Sequence, residues 1–281
     1  MLDIKKIRKE PDIYLKKISY RNTDINLNDL LDLDKKNRKI IQEKEKLEQE
    51  KKLISKNKDQ TKYEKSKIIS SQIENLEKSH IDIKQRINII ISSLPNIAND
   101  DVPVGKDESF NKEVNKIGKI PSFDFIPTSH YELGKKLDLM DFDLASKTSG
   151  ARFVFLKGKL ALLERAISNF MLDCHTKEFG YTEISPPLIA SDESMFGTGQ
   201  LPKFENDQFE IKLDNEKNRK FLIPTAEVIL TNMVREQFIN NKDLPLRLVA
   251  STPCFRKEAG SHGKDTRGMI RQHQFYKVEL V

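Results

Sequence analysis

Charged side chains suited to binding a polyanion are concentrated near the end of the sequence. Two strand-like stretches, 247–256 and 273–281, flank a glycine-rich loop whose cations are Lys264, Arg267 and Arg271. Two strands joined by such a loop are typical of a hairpin, and the clustered cations favour an anionic ligand. The spacing therefore predicts a hairpin that binds a polyanion.

Four side chains of this hairpin could contact a nucleotide. Arg256 and Arg271 carry planar, permanently charged guanidinium groups that match phosphate oxygens. Glu258, two residues after Arg256, falls on the same face of the strand, and Phe275 on the return strand could offer its ring to a purine. An ordinary surface hairpin can carry the same set, so the residues alone leave both interpretations open.

A second candidate site is the segment 224–227, Pro-Thr-Ala-Glu. If it is extended, Thr225 and Glu227 face one pocket, where a hydroxyl and a carboxylate can hold an ammonium group. The alternative is helix capping, because Thr225 is a good N-cap residue and Glu227 would then lie in the first turn. The two interpretations do not exclude each other.

Length and net charge set wide limits on function. The chain of 281 residues is long enough for two domains, and its hydrophobic fraction of 37% can supply a core for at least one of them. The formal charge of +6 and the pI of about 9.0 favour a polyanionic partner. Genomic base composition alone would give the same surplus of Lys, Asn and Ile, so net charge does not decide the function.

Cysteine, histidine and apolar residues exclude several classes of protein. Cys174 and Cys254 cannot build a disulfide framework and fit a reducing compartment. No apolar run approaches the roughly 18 residues needed to span a bilayer, so we expect a cytoplasmic protein with no membrane segment. The histidines show no metal-ligand spacing with the cysteines, so no metal site is expected.

A heptad pattern, typical of a coiled coil, runs from about residue 28 to residue 94. In its first half the seam positions are Leu33, Ile40, Leu47 and Ile54, with Leu30, Asn37, Lys44 and Lys51 as companions. After a polar break at 56–61, the second half places Ile69, Ile73, Leu76, His80, Ile83, Ile87, Ile90 and Leu94 on the seam. The pattern predicts an antiparallel helical arm on the order of 45–60 Å long, preceded by a short helix over 4–18.

Cations cover the outer faces of this predicted arm, along its first helix and around its tip. They are Lys35, Lys36, Arg38, Lys39, Lys51, Lys52, Lys56, Lys58, Lys62, Lys65 and Lys67. A charge run on a helix is usually a solvated face, but clustering near a protruding tip favours contact with an RNA backbone.

The composition changes near residue 100, after Pro95 ends the second long helix. We therefore predict an N-terminal domain over 1–100 and a second domain over 101–281. The second domain should contain an amphipathic helix over 160–179, a strand over 181–189 interrupted by a Pro-Pro pair, a helix over 226–237, and further strands over 208–213, 220–223, 246–252 and 274–281. Helices and strands do not alternate at Rossmann spacing, which favours an α+β fold with an antiparallel sheet and flanking helices.

The string FRKEAGSHGKDTRGMIRQHQF, residues 255–275, resembles motif 2 of the class II aminoacyl-tRNA synthetases, and in particular that of the seryl-tRNA synthetase family. The segment 180–189 is similar to motif 1, with its proline at Pro187. Other segments that resemble the seryl family are 102–106, 130–134, 139–155 and 195–204. The resemblance covers essentially the whole chain, although the arm matches in architecture more than in residues.

The resemblance implies a role for each candidate residue. On the ATP side, Arg256 would bind the α-phosphate, Phe275 would lie under the adenine, Arg271 would face the outer phosphates, and Lys257 and Glu258 would complete the nucleotide site. On the amino-acid side, Thr225, Ala226 and Glu227 would hold the α-amino group of serine, and Glu279 would contact the serine substrate. Arg256, Glu258 and Arg271 would be the catalytic residues.

The resemblance also implies a reaction and partners. The family activates L-serine with ATP to seryl-adenylate and then transfers the seryl group to tRNA(Ser), and by analogy to tRNA(Sec). ATP would be a co-substrate together with Mg²⁺, the arm would recognise the long variable arm of the tRNA by shape and backbone, and motif 1 would mediate homodimerisation. The alternative is a non-catalytic RNA-binding or scaffold protein derived from a synthetase.

The sequence departs from the family in one respect. Motif 3, with a second ATP-binding arginine, follows motif 2 in the family and is absent from these 281 residues. We therefore expect that the 281 residues alone do not catalyse aminoacylation and that their sheet has an exposed, aggregation-prone edge.

Overall fold

The computed structural model describes residues 2–21, 26–56, 63–213, 218–259 and 267–281. The chain divides into two compact units, Met1–Lys119 and Ile120–Val281. The sequence-based domain limits of 1–100 and 101–281 stay a prediction.

Helices dominate the first unit, and short strands and helices make up the second. In chain order the elements are α1 (Ile4–Lys9), α2 (Pro11–Ser19), α3 (Leu27–Lys56), α4 (Tyr63–Ser93), α5 (His130–Lys136), β1 (Met140–Asp141), α6 (Phe142–Ser149), β2 (Phe155–Leu156), α7 (Gly158–Glu178), β3 (Thr182–Glu183), β4 (Ile189–Ser191), α8 (Asp192–Gly197), β5 (Glu210–Ile211), β6 (Lys220–Leu222), α9 (Glu227–Asn232), β7 (Leu248–Phe255) and β8 (Gln274–Leu280).

The helix predicted over 4–18 is two helices rather than one. Asp3 caps α1, its carboxylate accepting a hydrogen bond from the Lys5 backbone N–H, and α1 ends at Lys9. Pro11 then occupies the first turn of α2. Proline suits that position because its missing N–H has no acceptor there, whereas in a helix interior it would remove a hydrogen bond.

The two long helices α3 and α4 form the antiparallel arm that the heptads predict. At about 1.5 Å per residue each helix is about 45 Å long. A core at the base of the arm joins both helices to α1 and α2. Its buried members are Ile7, Ile18, Leu27, Leu30, Leu33, Ile87, Ile91 and Leu94. The turn between the helices, with Lys58 and Lys62, lies outside the described residues.

Polar seam residues of the arm meet one another across the two helices. The His80 Nδ1 and Asn37 Oδ1 atoms are 2.7 Å apart, and the Lys44 ammonium donates to the Glu77 carboxylate at 2.5 Å. The half-polar seam of the sequence is therefore matched by polar partners at the same level of the opposite helix.

An ion-pair cluster attaches α1 to the arm. Asp34 is buried, and its carboxylate accepts hydrogen bonds from Arg8 at 3.1 Å and from Arg38 at 3.0 Å. A buried carboxylate needs such partners, because leaving it unpaired is strongly destabilising. Arg38, one of the arm cations, is thus bound to Asp34 at the base of the arm.

Three small sheets occur among the described residues of the second unit. They have the strand orders β1-β2, β3-β7-β8 and β4-β6-β5. In the part of the chain that the structure describes, the strand pairs are antiparallel except one: β3 runs parallel to β7, with Thr182 beside Leu248. Pro186 and Pro187 lie between β3 and β4, outside both ladders, as expected for residues that cannot donate to a ladder.

The amphipathic helix predicted over 160–179 is α7, but its apolar side is largely uncovered in this chain. None of its residues is fully buried. The exposed apolar members are Leu162, Leu163, Ile167, Phe170 and Met171, and Phe170 is 71% exposed. This apolar face is therefore exposed among the described residues.

The helix predicted over 226–237 is shorter than expected. It forms only over α9, and the Asn232 amide at its end donates to the backbone oxygens of Val228 at 2.8 Å and Ser194 at 3.0 Å. A tertiary contact to α8 thus accompanies the end of this helix.

Two small cores hold the segment before α9 in place. Ile223 belongs to one, with Met195, Phe221 and Val228. Ala226 belongs to the other, with Leu230 and Ala250. The residues 224–226 are therefore fixed from both sides.

Candidate active site

The strands β7 and β8 pair over seven successive residue pairs and present two faces. Cys254 stands opposite Phe275, Thr252 opposite Lys277, and Ala250 opposite Glu279. Because side chains alternate along a strand, these six side chains share one face of the hairpin. The predicted strands 247–256 and 273–281 differ from the observed ones by one residue at each end.

Arg256 and Phe275 meet at one end of this face. The Arg256 guanidinium carbon lies 5.2 Å from the centroid of the Phe275 ring, and its Nε donates to the Pro224 carbonyl oxygen at 3.4 Å. The Arg256 backbone N–H donates to the His273 oxygen at 2.9 Å. A permanent cation and an aromatic ring are thus held together beside the segment that leads to α9.

Glu258 and Arg271 meet where the hairpin opens into its loop. The Arg271 guanidinium donates to the Glu258 carboxylate at 3.1 Å, and the two side chains are 46% and 14% exposed. The Lys257 ammonium instead lies 5.8 Å from the centroid of the Phe209 ring. Lys264 falls outside the described residues.

Thr225 and Glu279 meet at the other end of the same face, with Lys277 between them. The Thr225 hydroxyl donates to the Glu279 carboxylate and accepts from the Lys277 ammonium at 3.0 Å. Lys277 and Glu279 also form an ion pair. Thr225 is 3% exposed, so this polar cluster lies in a largely desolvated position where charge interactions are strengthened.

The segment 224–227 is not an extended strand. The helix α9 begins at Glu227 with Ala226 as its N-cap residue, and the Thr225 hydroxyl accepts a hydrogen bond from the Glu227 N–H at 3.3 Å. The Glu227 side chain is exposed. The capping geometry and the contact to Glu279 therefore occur together at one hydroxyl group, whereas Thr225 and Glu227 do not share a face by strand alternation.

Burial affects one further group on this face. It raises the pKa of the Cys254 thiol above its usual 9.0, since a desolvated thiolate is unfavourable. The thiol therefore stays protonated and acts as a small apolar group on this face.

Comparison with known proteins agrees with this geometry. Residues 1–98 match the family model described as the seryl-tRNA synthetase N-terminal domain, and residues 208–281 match the tRNA synthetase class II core domain (G, H, P, S and T). The serine–tRNA ligase of Pelagibacter ubique is 61% identical over 281 residues, which are 100% of this chain and 67% of that protein. The chain belongs to the seryl-tRNA synthetase family. It is thus a chain of an aminoacyl-tRNA ligase.

Other seryl-tRNA synthetases match over similar lengths. The serine–tRNA ligase of Carboxydothermus hydrogenoformans is 43% identical, with 100% of this chain and 68% of that protein covered. The seryl-tRNA synthetase from Pyrococcus horikoshii complexed with ATP is 33% identical with a TM-score of 0.86, covering 100% of this chain and 69% of that one. The cytoplasmic serine–tRNA ligase from Naegleria fowleri in complex with AMP is 27% identical with a TM-score of 0.81, covering 96% and 62%.

These matches confirm the fold class and the family expected from the sequence. They leave the role of each residue to be tested, and they span about two thirds of the length of the curated relatives. No helix among the described residues is long and apolar enough to cross a membrane.

Sequence reasoning missed one member of the polar cluster of this seryl-tRNA synthetase chain. Lys277 contacts both Thr225 and Glu279, yet it was not among the predicted site residues. A signal was present, because Lys277 lies midway between Phe275 and Glu279 at the two-residue period of a strand.

Two of the described arm cations also have acidic partners. Arg38 pairs with Asp34 at 3.0 Å, and Lys65 pairs with Glu50 at 2.6 Å.

Proposed function

We propose that this chain belongs to an enzyme that activates serine with ATP, giving seryl-adenylate and pyrophosphate, and passes the seryl group to tRNA(Ser) and also to tRNA(Sec), and that the 281 residues alone do not complete this reaction. The observation that carries the proposal is the row Phe275, Lys277 and Glu279 on β8. It leads from the Arg256 guanidinium at one end to the Thr225 hydroxyl at the other. An adenine, an α-phosphate and an amino acid would fit along this row in that order.

On the ATP side, a serine carboxylate oxygen would attack the α-phosphorus and the bond to the β-phosphate would break. Arg256 would neutralise the charge that develops on the α-phosphate, and Arg271 would bind the outer phosphates. Preorganised cations of this kind lower the barrier without a general base. The Lys257 ammonium, beside Phe209, would have to move to reach a phosphate.

On the amino-acid side, we propose that the Thr225 hydroxyl, the turn at Ala226 and the Glu227 carboxylate hold the serine ammonium group. Glu279 would accept the serine hydroxyl. A pocket whose buried polar groups need that hydroxyl disfavours alanine, because those groups would be left unpaired. The low exposure of Glu279, 16% at its side chain, supports this role.

Magnesium would enter as the Mg²⁺ complex of ATP. Among the described residues there is no group of three His, Cys, Asp or Glu side chains that could hold a metal ion. Mg²⁺ commonly binds through substrate phosphates with only one or two carboxylates, and Glu258 is the carboxylate nearest to Arg271. We assign no step to the ion.

The arm and α7 would supply the macromolecular contacts. The cations of α3 would meet the tRNA backbone, an interaction that weakens with added salt. The exposed apolar side of α7, with motif 1 and its Pro187, would pack against a second copy of the chain, since a patch of this kind on a soluble protein is typical of an interface. We place the protein in the cytoplasm, which its two free cysteines support.

The deciding experiment is serine-dependent exchange between ATP and pyrophosphate. It should be run on this chain and on the same chain extended through the reading frame that follows Val281, with threonine and alanine as control amino acids. Exchange with serine in the extended form supports the proposal, and exchange by the 281 residues alone would contradict the expectation that they are inactive. Absence of exchange in both forms, with tRNA still bound, would favour the non-catalytic RNA-binding alternative.

A further inference from the structure

Arg152 lies far from the hairpin in sequence and beside it in space. It follows α6, whose C-terminal cap Gly150 has a φ of 98°. Arg152 itself has a φ of 65°. The left-handed region is uncommon for a residue with a side chain and recurs at functional sites. The turn directs Arg152 toward residues more than one hundred positions later.

The side chain and the main chain of Arg152 contact opposite strands of the hairpin. Its Nη1 donates to the carbonyl oxygen of Glu258 at 2.8 Å and to that of Lys257 at 3.3 Å. Its own carbonyl oxygen accepts from the His273 N–H at 3.0 Å. One residue therefore bridges the end of the outgoing strand and the start of the returning strand.

The contacted turn needs support. Glu258 also has a left-handed backbone, with a φ of 50°, and lies beyond the end of β7 at Phe255. Asp207 holds the backbone N–H groups of this turn: its carbonyl oxygen accepts from Lys257 at 2.8 Å and its carboxylate from Ala259 at 2.8 Å. The carbonyl oxygens of the turn are left to Arg152. The carbonyl oxygens of Lys257 and Glu258 receive hydrogen bonds from a charged donor, which are stronger than neutral ones. This turn sets the direction of the Glu258 side chain, whose carboxylate meets Arg271 at 3.1 Å.

We propose that Arg152 is a positioning residue for the ATP side of the site. It holds the turn at 257–258 so that Glu258 and Arg271 face each other before ATP enters. The inference rests on the proposed function, because it takes the hairpin as the ATP site. It assigns no contact between Arg152 and the substrate.

The test compares Arg152→Ala, Arg152→Lys and the matched control Arg247→Ala, which removes an exposed arginine of the same unit, all in the full-length gene product. Removing a hydrogen bond to a charged donor corresponds to about a 10- to 100-fold effect. We expect Arg152→Ala to raise the ATP KM and the ATP Kd by about this factor and to leave the serine KM within about twofold. Lysine keeps the charge but not the planar guanidinium that reaches both carbonyl oxygens. Arg152→Lys should therefore recover only part of the lost ATP affinity. Added guanidinium ion should partly rescue Arg152→Ala.

Hydrogen exchange of the peptide that covers residues 255–259 gives a readout that needs no ATP. It should accelerate in Arg152→Ala and stay unchanged in Arg247→Ala. The inference is wrong if Arg152→Ala matches the wild type both in hydrogen exchange of this peptide and in ATP affinity. It is also wrong if Arg152→Ala unfolds as a whole and added guanidinium ion restores nothing. If the wild-type protein binds ATP but shows no serine-dependent exchange between ATP and pyrophosphate, the proposed function is refuted. The role of Arg152 is then still tested by the ATP affinity of its variants. A wild-type protein that binds no ATP would overturn both.

Discussion

Glu279→Gln is the sharpest perturbation of the serine side, because it keeps the shape of the side chain and removes its charge. Glu279 is in contact with two donors, the Thr225 hydroxyl and the Lys277 ammonium. A hydrogen bond to a charged group contributes about 1.5–3 kcal/mol and a neutral one about 0.5–1.5 kcal/mol. For the one hydrogen bond that we propose from the serine hydroxyl to Glu279, the change therefore removes about 1–1.5 kcal/mol.

That free energy corresponds to about a 5- to 13-fold loss in kcat/KM for serine. Serine-dependent pyrophosphate exchange at saturating ATP measures it, and the ATP KM measured at saturating serine should stay within about twofold. Glu178→Gln, at the exposed end of α7, is the matched control and should behave as the wild type. A serine kcat/KM unchanged in Glu279→Gln, or an ATP KM that rises in parallel, would refute the assignment of Glu279 to the amino acid.

Three further outcomes are expected. Leu30→Ala, at a fully buried position of the arm base, should lower the free energy of unfolding by about 3 kcal/mol in urea titrations. The control is Leu53→Ala, at an exposed position. Equal losses of stability in the two variants would contradict the observed core. Hydrogen bonding to Lys44 lowers the pKa of Glu77 below its usual 4.5. The Lys44–Glu77 pair therefore stabilises the arm fully at pH values above 4.5. This contribution is lost as the pH falls through the lowered pKa. Lys44→Met should therefore make helicity by circular dichroism less sensitive to acid, and an unchanged acid profile would count against the pair. Burial raises the pKa of the Cys254 thiol. Iodoacetamide should therefore modify Cys254 far more slowly than Cys174 in the folded protein, and the two cysteines equally fast in denaturant. Similar modification rates in the folded protein would show that Cys254 is accessible.

The sequence predicted best those features that depend on neighbouring residues. The hairpin prediction of 247–256 and 273–281 matches β7 and β8 within one residue at each end, because alternation and the flanking loop are local signals. The shorter strand predicted over 246–252 was wrong at its end, since β7 continues to Phe255. The heptads predict the arm for the same reason. They place Asn37 and His80 on the seam, and the structure shows that these two side chains contact each other. The prediction of one helix over 4–18 was wrong at Pro11, although this proline, which separates α1 from α2, is visible in the sequence.

Features that depend on distant contacts could not be predicted. The parallel pairing of Thr182 with Leu248 joins segments that local patterns treat separately. The helix predicted over 226–237 ends early, at Asn232, which also contacts α8. Arg152 gave no signal, because its contacts go to main-chain oxygens, which every residue carries.

The polar pairs in the seam of the arm have a consequence for its geometry. Asn37 meets His80, and a slide of α4 by one heptad in either direction would bring Ile73 or Ile87 to that level instead. Lys44 would at the same time lose Glu77. A polar residue placed at a single level of a coiled coil specifies the alignment of the helices at some loss of stability. These two polar pairs therefore fix the alignment of α4 against α3, so that each level of one helix keeps a constant neighbour on the other along the arm.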